Sequence, residues 1–453
     1  MGKYFGTDGF RGRAGVDLLS SHAYKIGRFL GLYLKGEAKP RAIIGKDTRL
    51  SSTMFEDAIS SGLASSGADV YKLGVCTTPA VSYLSKTEGF DIGIMISASH
   101  NPYYDNGIKI IDSSGKKIDD EFIDKIENYI DNEDFEKESA NASGKEIGKI
   151  VDFSSSLNKY VDFLAKASGV TLSGLKIGLD PSNGGGFEIC RAVFNRLGAE
   201  IYIINNAPNG ININEECGST HIEALCDFVK AKSLDVGFAY DGDGDRCIAV
   251  DENGNEIDGD KIMYALALYL KEENELEKDT VVTTVMSNGG LYKALANHGI
   301  SHVETKVGDR YVSEEMVQNG FSLGGEQSGH IIISKYLETG DGILTSIKLA
   351  EIIKRKNLKI SELVNEVKPF PQILKNVHVV DKNGVLGSKS VQKAKKEAEA
   401  LLKNGRVLLR PSGTEPLIRI MVEGEDKSEC ETVANMLENA IKLAKIEAMS
   451  DES

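Results

Sequence analysis

Short β-branched runs alternate with longer amphipathic segments along most of the chain. R-A-I-I-G at 41–45 predicts a strand, 53–66 a helix, D-V-Y-K-L-G at 69–74 a strand, 79–87 a helix and I-G-I-M-I at 92–96 a buried strand. That rhythm predicts an α/β fold with mostly parallel strands. A polar, charged interval at 132–149 reads as a linker, and the rhythm then restarts. K-I-G-L-D at 176–180, I-Y-I-I-N at 201–205 and V-G-F-A-Y at 236–240 are the strands of a second unit, with helices between them. A third runs from a helix near 260 through T-V-V-T-T-V at 280–285 and H-V-E-T at 302–305 to H-I-I-I at 330–333. The tail departs from the pattern. Beyond K-P-F-P-Q at 368–372, two strands, R-V-L-L-R and L-I-R-I-M-V, lie between two helices, which predicts a two-layer α+β module behind a proline-flanked hinge. The expected domains are 1–150, 151–255, 256–368 and 369–453: three similar α/β units with mixed or parallel sheets, and a C-terminal α+β domain.

Composition narrows the partners. The 453 residues carry 53 Lys+Arg against 68 Asp+Glu, a net charge of −15, which argues against nucleic acid or an anionic membrane surface. An anionic substrate would need a local basic pocket. The 6 cysteines show no C-x-x-C spacing, so a reducing, cytoplasmic setting is expected. The longest apolar run, 262–270, falls far short of the roughly 20 residues that span a bilayer, and a soluble protein without a membrane partner is expected.

D-G-D-G-D-R at 241–246 is the sharpest chemical signal, placed between two apolar strands. Carboxylates at alternate positions, Asp241, Asp243 and Asp245, repel one another, and the intervening glycines let all three face one hard cation. An EF-hand loop fails here, because Arg246 stands where glycine is required and the flanks are strands. Mg²⁺ with positions left for a phosphate oxygen suits the set better. R-P-S-G-T-E-P at 410–416, followed by Arg419, offers an anion nest: Arg410 and Arg419 supply charge, Ser412 and Thr414 hydroxyls, and Gly413 a pliable backbone. In G-G-E-Q-S-G-H at 324–330, Glu326 and Ser328 lie two apart, so an extended segment would turn both toward a sugar's hydroxyls. His330 ends that motif, and Arg310 in V-G-D-R-Y-V opens a predicted helix where an anion could sit.

S-A-S-H-N-P-Y-Y-D-N-G-I-K at 97–109 follows a buried strand. Ser99 is not in a G-x-S-x-G elbow, and His100, its sequence neighbour, is expected to point away from its hydroxyl, so a hydrolase triad is not supported. Beside a metal site, a phosphate site and a sugar-like loop, Ser99 reads instead as a phosphoryl carrier.

With F-G-T-D-G-F-R-G at 5–12, these motifs stand in the order and spacing of the α-D-phosphohexomutases, which the chain resembles from end to end. N-I-N-E-E-C-G-S-T-H at 212–221, V-G-D-R-Y-V and glutamine at 327 resemble the branch acting on amino-sugar phosphates, with glucose and mannose phosphates as alternatives. The resemblance implies four domains around a central cleft, a Mg²⁺ ion held by Asp241, Asp243, Asp245 and a phosphate on Ser99, and a sugar 1,6-bisphosphate intermediate. It assigns Lys109 and Arg11 to the reacting oxygens, with Lys109 as acid/base, His100 to support of the serine loop, Glu326 and Ser328 to the sugar, and Arg410, Ser412, Gly413, Thr414 and Arg419 to the distal phosphate. Arg246, Arg310 and His330 are further possible contacts. The implied substrate is a hexosamine phosphate on the route to UDP-N-acetylglucosamine and the cell wall, and a homodimer is the family's habit. A sugar-phosphate sensor without activity would be expected to lack the serine or an aspartate, and this chain keeps them.

Overall fold

A computed structural model describes residues 2–6, 8–36, 38–132, 141–402, 405–412 and 416–451. The first sheet holds β1 (Phe5–Gly6), β2 (Gly9–Arg13), β3 (Arg41–Lys46), β4 (Asp69–Val75), β5 (Ile92–Ile96), β6 (Asp105–Asp112) and β7 (Ile150–Asp152), in the order β1-β2-β6-β5-β3-β4-β7. β3, β4 and β5 pair in parallel, joined by the crossover helices Ser52–Ser65 and Thr78–Thr87 that the alternating pattern predicts. β6 runs antiparallel to both β5 and β2. The first sheet is therefore more mixed than the expected mostly parallel one. Asp105–Asp112, part of the Ser99 loop motif by sequence, is a central strand, buried on both faces from Asn106 to Ile111. Lys109 thus sits in the sheet, not at the end of a loop.

A second sheet contains β8 (Lys176–Asp180), β9 (Glu200–Ile203), β10 (Val236–Tyr240), β11 (Cys247–Val250) and β12 (Glu256–Ile257), ordered β12-β11-β10-β8-β9. β10 and β11 form the antiparallel hairpin whose turn is D-G-D-G-D-R. The third sheet, β13 (Thr280–Thr284), β14 (Ser301–Thr305), β15 (Leu323–Gly325) and β16 (Ile331–Ile333), has the order β14-β13-β15-β16, and its β15–β16 turn is E-Q-S-G-H. Each of these sheets thus ends in a hairpin or strand end that carries one motif, as the pattern of motifs after apolar runs predicts.

The chain divides into two compact units. Residues 1–286 and 299–365 form the first, with the three sheets above. The second, 287–298 and 366–453, holds β17 (Gln372–His378), β18 (Arg406–Pro411) and β19 (Leu417–Glu423) as an antiparallel sheet in the order β17-β19-β18. Its helices Lys389–Leu401 and Lys427–Asp451 cover the sheet through Val391, Ala398, Cys430, Val433 and Leu437. A short helix, Lys382–Gly387, precedes the first of these and was not expected; Asp381 caps it through the Gly384 N–H. Among the described residues no helix is long and apolar enough to cross a membrane, and all six cysteines are free thiols.

The amino-terminal motif is fastened by one carboxylate. Glu127, on the helix Asp120–Asp131, accepts the backbone N–H groups of Lys3 (2.7 Å), Tyr4 (2.7 Å) and Phe5 (2.8 Å). Burial would raise this carboxyl, but the three N–H bonds hold it below its usual value. Its contribution is therefore complete above the unfolded-state value and is lost as pH falls through the lower folded one. Glu127→Gln, with one acceptor oxygen for three converging donors, is expected to cost about 1–3 kcal/mol, read as a lower urea midpoint at neutral pH. An unchanged midpoint would show that the clip contributes nothing.

Candidate active site

Ser99 lies just past β5 with φ 53°, a left-handed conformation that a non-glycine residue adopts only when its surroundings impose it. Those surroundings are visible. The Ser99 N–H donates to Ser97 Oγ (2.9 Å), and Ser97 donates to Asp47 (2.7 Å). Asp47 also binds Arg49 Nε (2.8 Å), whose guanidinium then takes the carbonyls of Ser99 (2.9 Å), Asn101 (2.8 Å) and Asp105 (3.1 Å), and that of Pro102. From the second sheet's side, Asn214 Nδ2 donates to the same Ser99 (2.9 Å) and Asn101 (3.0 Å) carbonyls. The loop is held by its own backbone oxygens, which leaves the serine hydroxyl for other work.

That hydroxyl donates to Asp241 Oδ2 at 2.5 Å, across 142 residues of sequence. The close approach depends on Gly242, where a Cβ would stand 2.5 Å from the Ser99 carbonyl oxygen, and on Gly244, at φ +70°. His100 corrects the expectation from sequence. Its Nδ1 lies 3.3 Å from Ser99 Oγ, because the left-handed turn at Ser99 folds the neighbouring side chain back. Burial, with the charges of Arg246 and Arg11, lowers His100 to about 4, so the ring is neutral near pH 7.

Asp241, Asp243 and Asp245 are all buried, and one oxygen from each lies within 4.8 Å of the others. Lys109 Nζ sits 2.7 Å from Asp243 Oδ2 and 3.3 Å from Asp245 Oδ2, while Thr78 Oγ1 also donates to Asp243 Oδ2. The other oxygens, Oδ1 of Asp243 and of Asp245, are buried without a hydrogen-bond partner. Buried carboxylate oxygens left bare are costly, and a small hard cation would satisfy them. The donor set, three carboxylates beside a serine that can carry phosphate, fits Mg²⁺. Burial, reinforced by Asp245 and Asp243, pushes the Asp241 carboxyl well above its ordinary range. For Asp243 burial acts the same way, but Lys109 outweighs it and the group stays low. Burial likewise works against the Lys109 ammonium, yet Asp243, Asp8 and Asp245 hold it charged well past the usual value.

Arg11 on β2 pairs with Asp8, which also lies 3.3 Å from Lys109. Glu326 Oε1 accepts the Gly308 N–H (3.1 Å), and Ser328 Oγ is 3.5 Å from Glu326 Oε2. The two side chains do meet, but on a turn rather than the extended segment expected: Gly329, at φ +92°, donates its N–H back to Glu326 (3.0 Å). Metal loop and sugar loop are joined directly, since Cys247 N–H donates to Gly329 (3.0 Å) and Arg246 bridges to His330. The Arg246 N–H also donates to Asp241 Oδ1 (3.2 Å). Arg310 differs from expectation. Its guanidinium is paired with Glu314 (2.7 Å) and Asp120, so its charge is balanced within the protein rather than offered to an anion.

In the second unit, Arg410 and Arg419 are direct cross-strand partners of β18 and β19 and share one face. Ser412 is buried, with its N–H on Leu417 (2.9 Å) and its carbonyl on Lys382 Nζ (2.6 Å). Gly413 and Thr414 lie outside the described residues. Sequence reasoning passed over Asp8, Asp47, Arg49, Lys117, Asn214 and Asp309. Asp8, Asn214 and Asp309 stood inside quoted motifs, but Arg49 acts on main-chain oxygens and Asp47 on Arg49 and Ser97, and neither leaves a periodic signal.

Family models of the phosphoglucomutase/phosphomannomutase proteins match the whole arrangement. Alpha/beta/alpha domain I covers residues 2–137, domain II 158–254, domain III 258–370 and the C-terminal domain 374–440. The chain belongs to this family. Among curated relatives, the phosphoglucosamine mutase of Lachnospira eligens is 50% identical over 446 residues, 98% of this chain and 99% of the relative. That of Lachnoclostridium phytofermentans is 52% identical over 436 residues, 96% of this chain and 97% of its own. Among solved structures, Aspergillus fumigatus N-acetylphosphoglucosamine mutase in complex with GlcNAc-6P and magnesium superposes with a TM-score of 0.69 at 20% identity, covering 98% of this chain and 96% of that one. At that identity the superposition speaks for the fold.

If the three carboxylates bind Mg²⁺, millimolar Mg²⁺ should raise the melting temperature of the wild-type chain, by the mass action of a ligand that binds only the folded state. Asp241→Ala/Asp243→Ala should melt at a temperature that Mg²⁺ does not move. An equal shift in both proteins would place the ion elsewhere.

Proposed function

We propose that the chain interconverts glucosamine 6-phosphate and glucosamine 1-phosphate, with Ser99 as the phosphoryl carrier. One observation carries this reading: a serine held in a strained turn by its own carbonyls, its hydroxyl on the first of three buried carboxylates. Near-50% identity to phosphoglucosamine mutases over almost the entire chain supports the amino-sugar substrate.

In the proposed reaction the phosphoserine P–O bond breaks as a new bond forms to the sugar O1. The proton given up by that hydroxyl is balanced by the one gained at Ser99 Oγ, which then donates to Asp241. The glucosamine 1,6-bisphosphate turns over, and its 6-phosphoryl group returns to Ser99 by the reverse exchange. Mg²⁺, when held by Asp241, Asp243 and Asp245, supplies charge neutralisation for the transferring phosphoryl group. Lys109 and Arg11 add positive charge beside the same oxygens, the Lys109 ammonium giving a proton to the leaving Ser99 oxygen as it regains one from the reacting hydroxyl. His100, neutral at pH 7, supports the serine through Nδ1, 3.3 Å from Ser99 Oγ. Glu326 and Ser328 grip the middle hydroxyls, which a sugar presents in either orientation. Arg410 and Arg419, direct partners across adjacent strands, take with Ser412, Gly413 and Thr414 the phosphate that is not reacting.

Intact-mass and peptide analysis should find phosphate on Ser99, and Ser99→Ala should lose isomerisation by roughly a thousandfold or more. Full activity in that variant would overturn the mechanism. The family also contains enzymes for glucose and mannose phosphates, so kcat/KM should be compared across the three sugars. A preference for mannose 6-phosphate would refute the amino-sugar assignment.

A further inference from the structure

A run of buried and half-buried charges crosses from the first sheet to the third outside the residues given a role above. Lys117 lies five residues past β6, where it bridges back to Ile111. Its Nζ is 2.5 Å from Asp8 Oδ1 and 2.5 Å from Asp309 Oδ2. Each carboxylate serves a different part of the site. Asp8 backs Arg11 and Lys109. Asp309 opens the helix Asp309–Asn319 directly after Gly308, the residue whose N–H holds Glu326, and its Oδ2 lies 3.6 Å from His330 Nε2 at the end of the sugar loop. One ammonium therefore joins the groups behind the reacting end to the groups behind the sugar grip.

We propose that Lys117 is a positioning residue that sets the reach of the Glu326–Ser328 loop from Ser99 by holding Asp8 and Asp309 together; this rests on the reading of the site as a sugar-phosphate mutase. Two carboxylates sharing one ammonium repel once it is removed. The third sheet's loop would then move away from the first sheet, while Ser99, its carbonyl clamp and the three aspartates, none of which Lys117 touches, stay assembled. The effect falls on sugar binding rather than on phosphoryl chemistry. The pairing is also specific to a cation of this length and placement, since neither acid has another partner that spans the two sheets among the described residues.

The test compares Lys117→Met, Lys117→Arg and Lys117→Met/Asp309→Asn with wild type. Lys117→Met should raise KM for glucosamine 6-phosphate about tenfold with kcat changed less than threefold, and the phosphate found on Ser99 by mass should equal the wild-type level. Lys117→Arg, which keeps the charge, should recover most of the affinity. The double variant should recover part of it by removing the bare acid. Amide hydrogen exchange at 308–311 and 324–330 should quicken in Lys117→Met with the cores of the three sheets unchanged, a readout that does not depend on which sugar is turned over. Unchanged loop exchange in Lys117→Met overturns the proposal even if the chain proves to use another substrate. So does a loss of Ser99 phosphate equal to the loss of affinity, which would mean that Lys117 acts on the reacting centre. Absence of any mutase activity in the wild type, with loop exchange quickened in the variant, would instead refute the functional reading and leave the bridge supported.

Discussion

Burying acids of like charge next to one another is the constraint from which the rest of this site follows. Asp241, Asp243 and Asp245 crowd together out of water, with Asp8 one lysine away. Such a cluster is stable only if cations interleave it or protons neutralise it. The protein does part of this itself: Lys109 is shared among Asp8, Asp243 and Asp245, and Lys117 continues the alternation to Asp309. The alternation stops short of full compensation. Two carboxylate oxygens stay bare, and Asp241, which no lysine reaches, is driven toward its protonated form. A site built with that deficit fits a bound cation, and its field is arranged before any ligand arrives.

The strain at Ser99 belongs to the same economy of design. A left-handed serine costs of order 1–3 kcal/mol, and the cost is met locally by Arg49 and Asn214 on its carbonyl and Ser97 on its N–H. Arg49 and Ser97 belong to the first sheet's part of the chain and Asn214 to the second's, so contact between them adds to the hold on the turn. The glycine of the acidic loop at 242 is required for the same close approach: a side chain there would collide with the serine's own carbonyl.

Much of this was legible in the sequence, for physical reasons. Strand-ending motifs announce themselves because glycines and like charges at alternate positions have no use inside an apolar run, and the acidic triad and the serine were found that way. Strand order was less legible. Asp105–Asp112 carries a proline, tyrosines and a glycine just before or within it, which read as loop, whereas pairing on both sides makes it a central strand and puts Lys109 in the core. His100 was misjudged because adjacent side chains diverge only in ordinary extended or helical backbone, and Ser99 is in neither. Lys117, Asp47 and Arg49 escaped notice because each works on a partner far away in sequence, and nothing local distinguishes a buried bridging lysine from a solvated one.

The two compact units state the same rule with opposite sign. In the first, three acids are buried side by side, a donor set that fits a divalent cation. In the second, Arg410 and Arg419 stand directly opposite one another on adjacent strands. Three acids buried side by side would not persist in a protein selected for stability alone, since one substitution would relieve their repulsion. The net charge of −15 is then no obstacle to binding phosphates. What matters is the local balance, and Lys109 and Arg246 stand beside the buried aspartates.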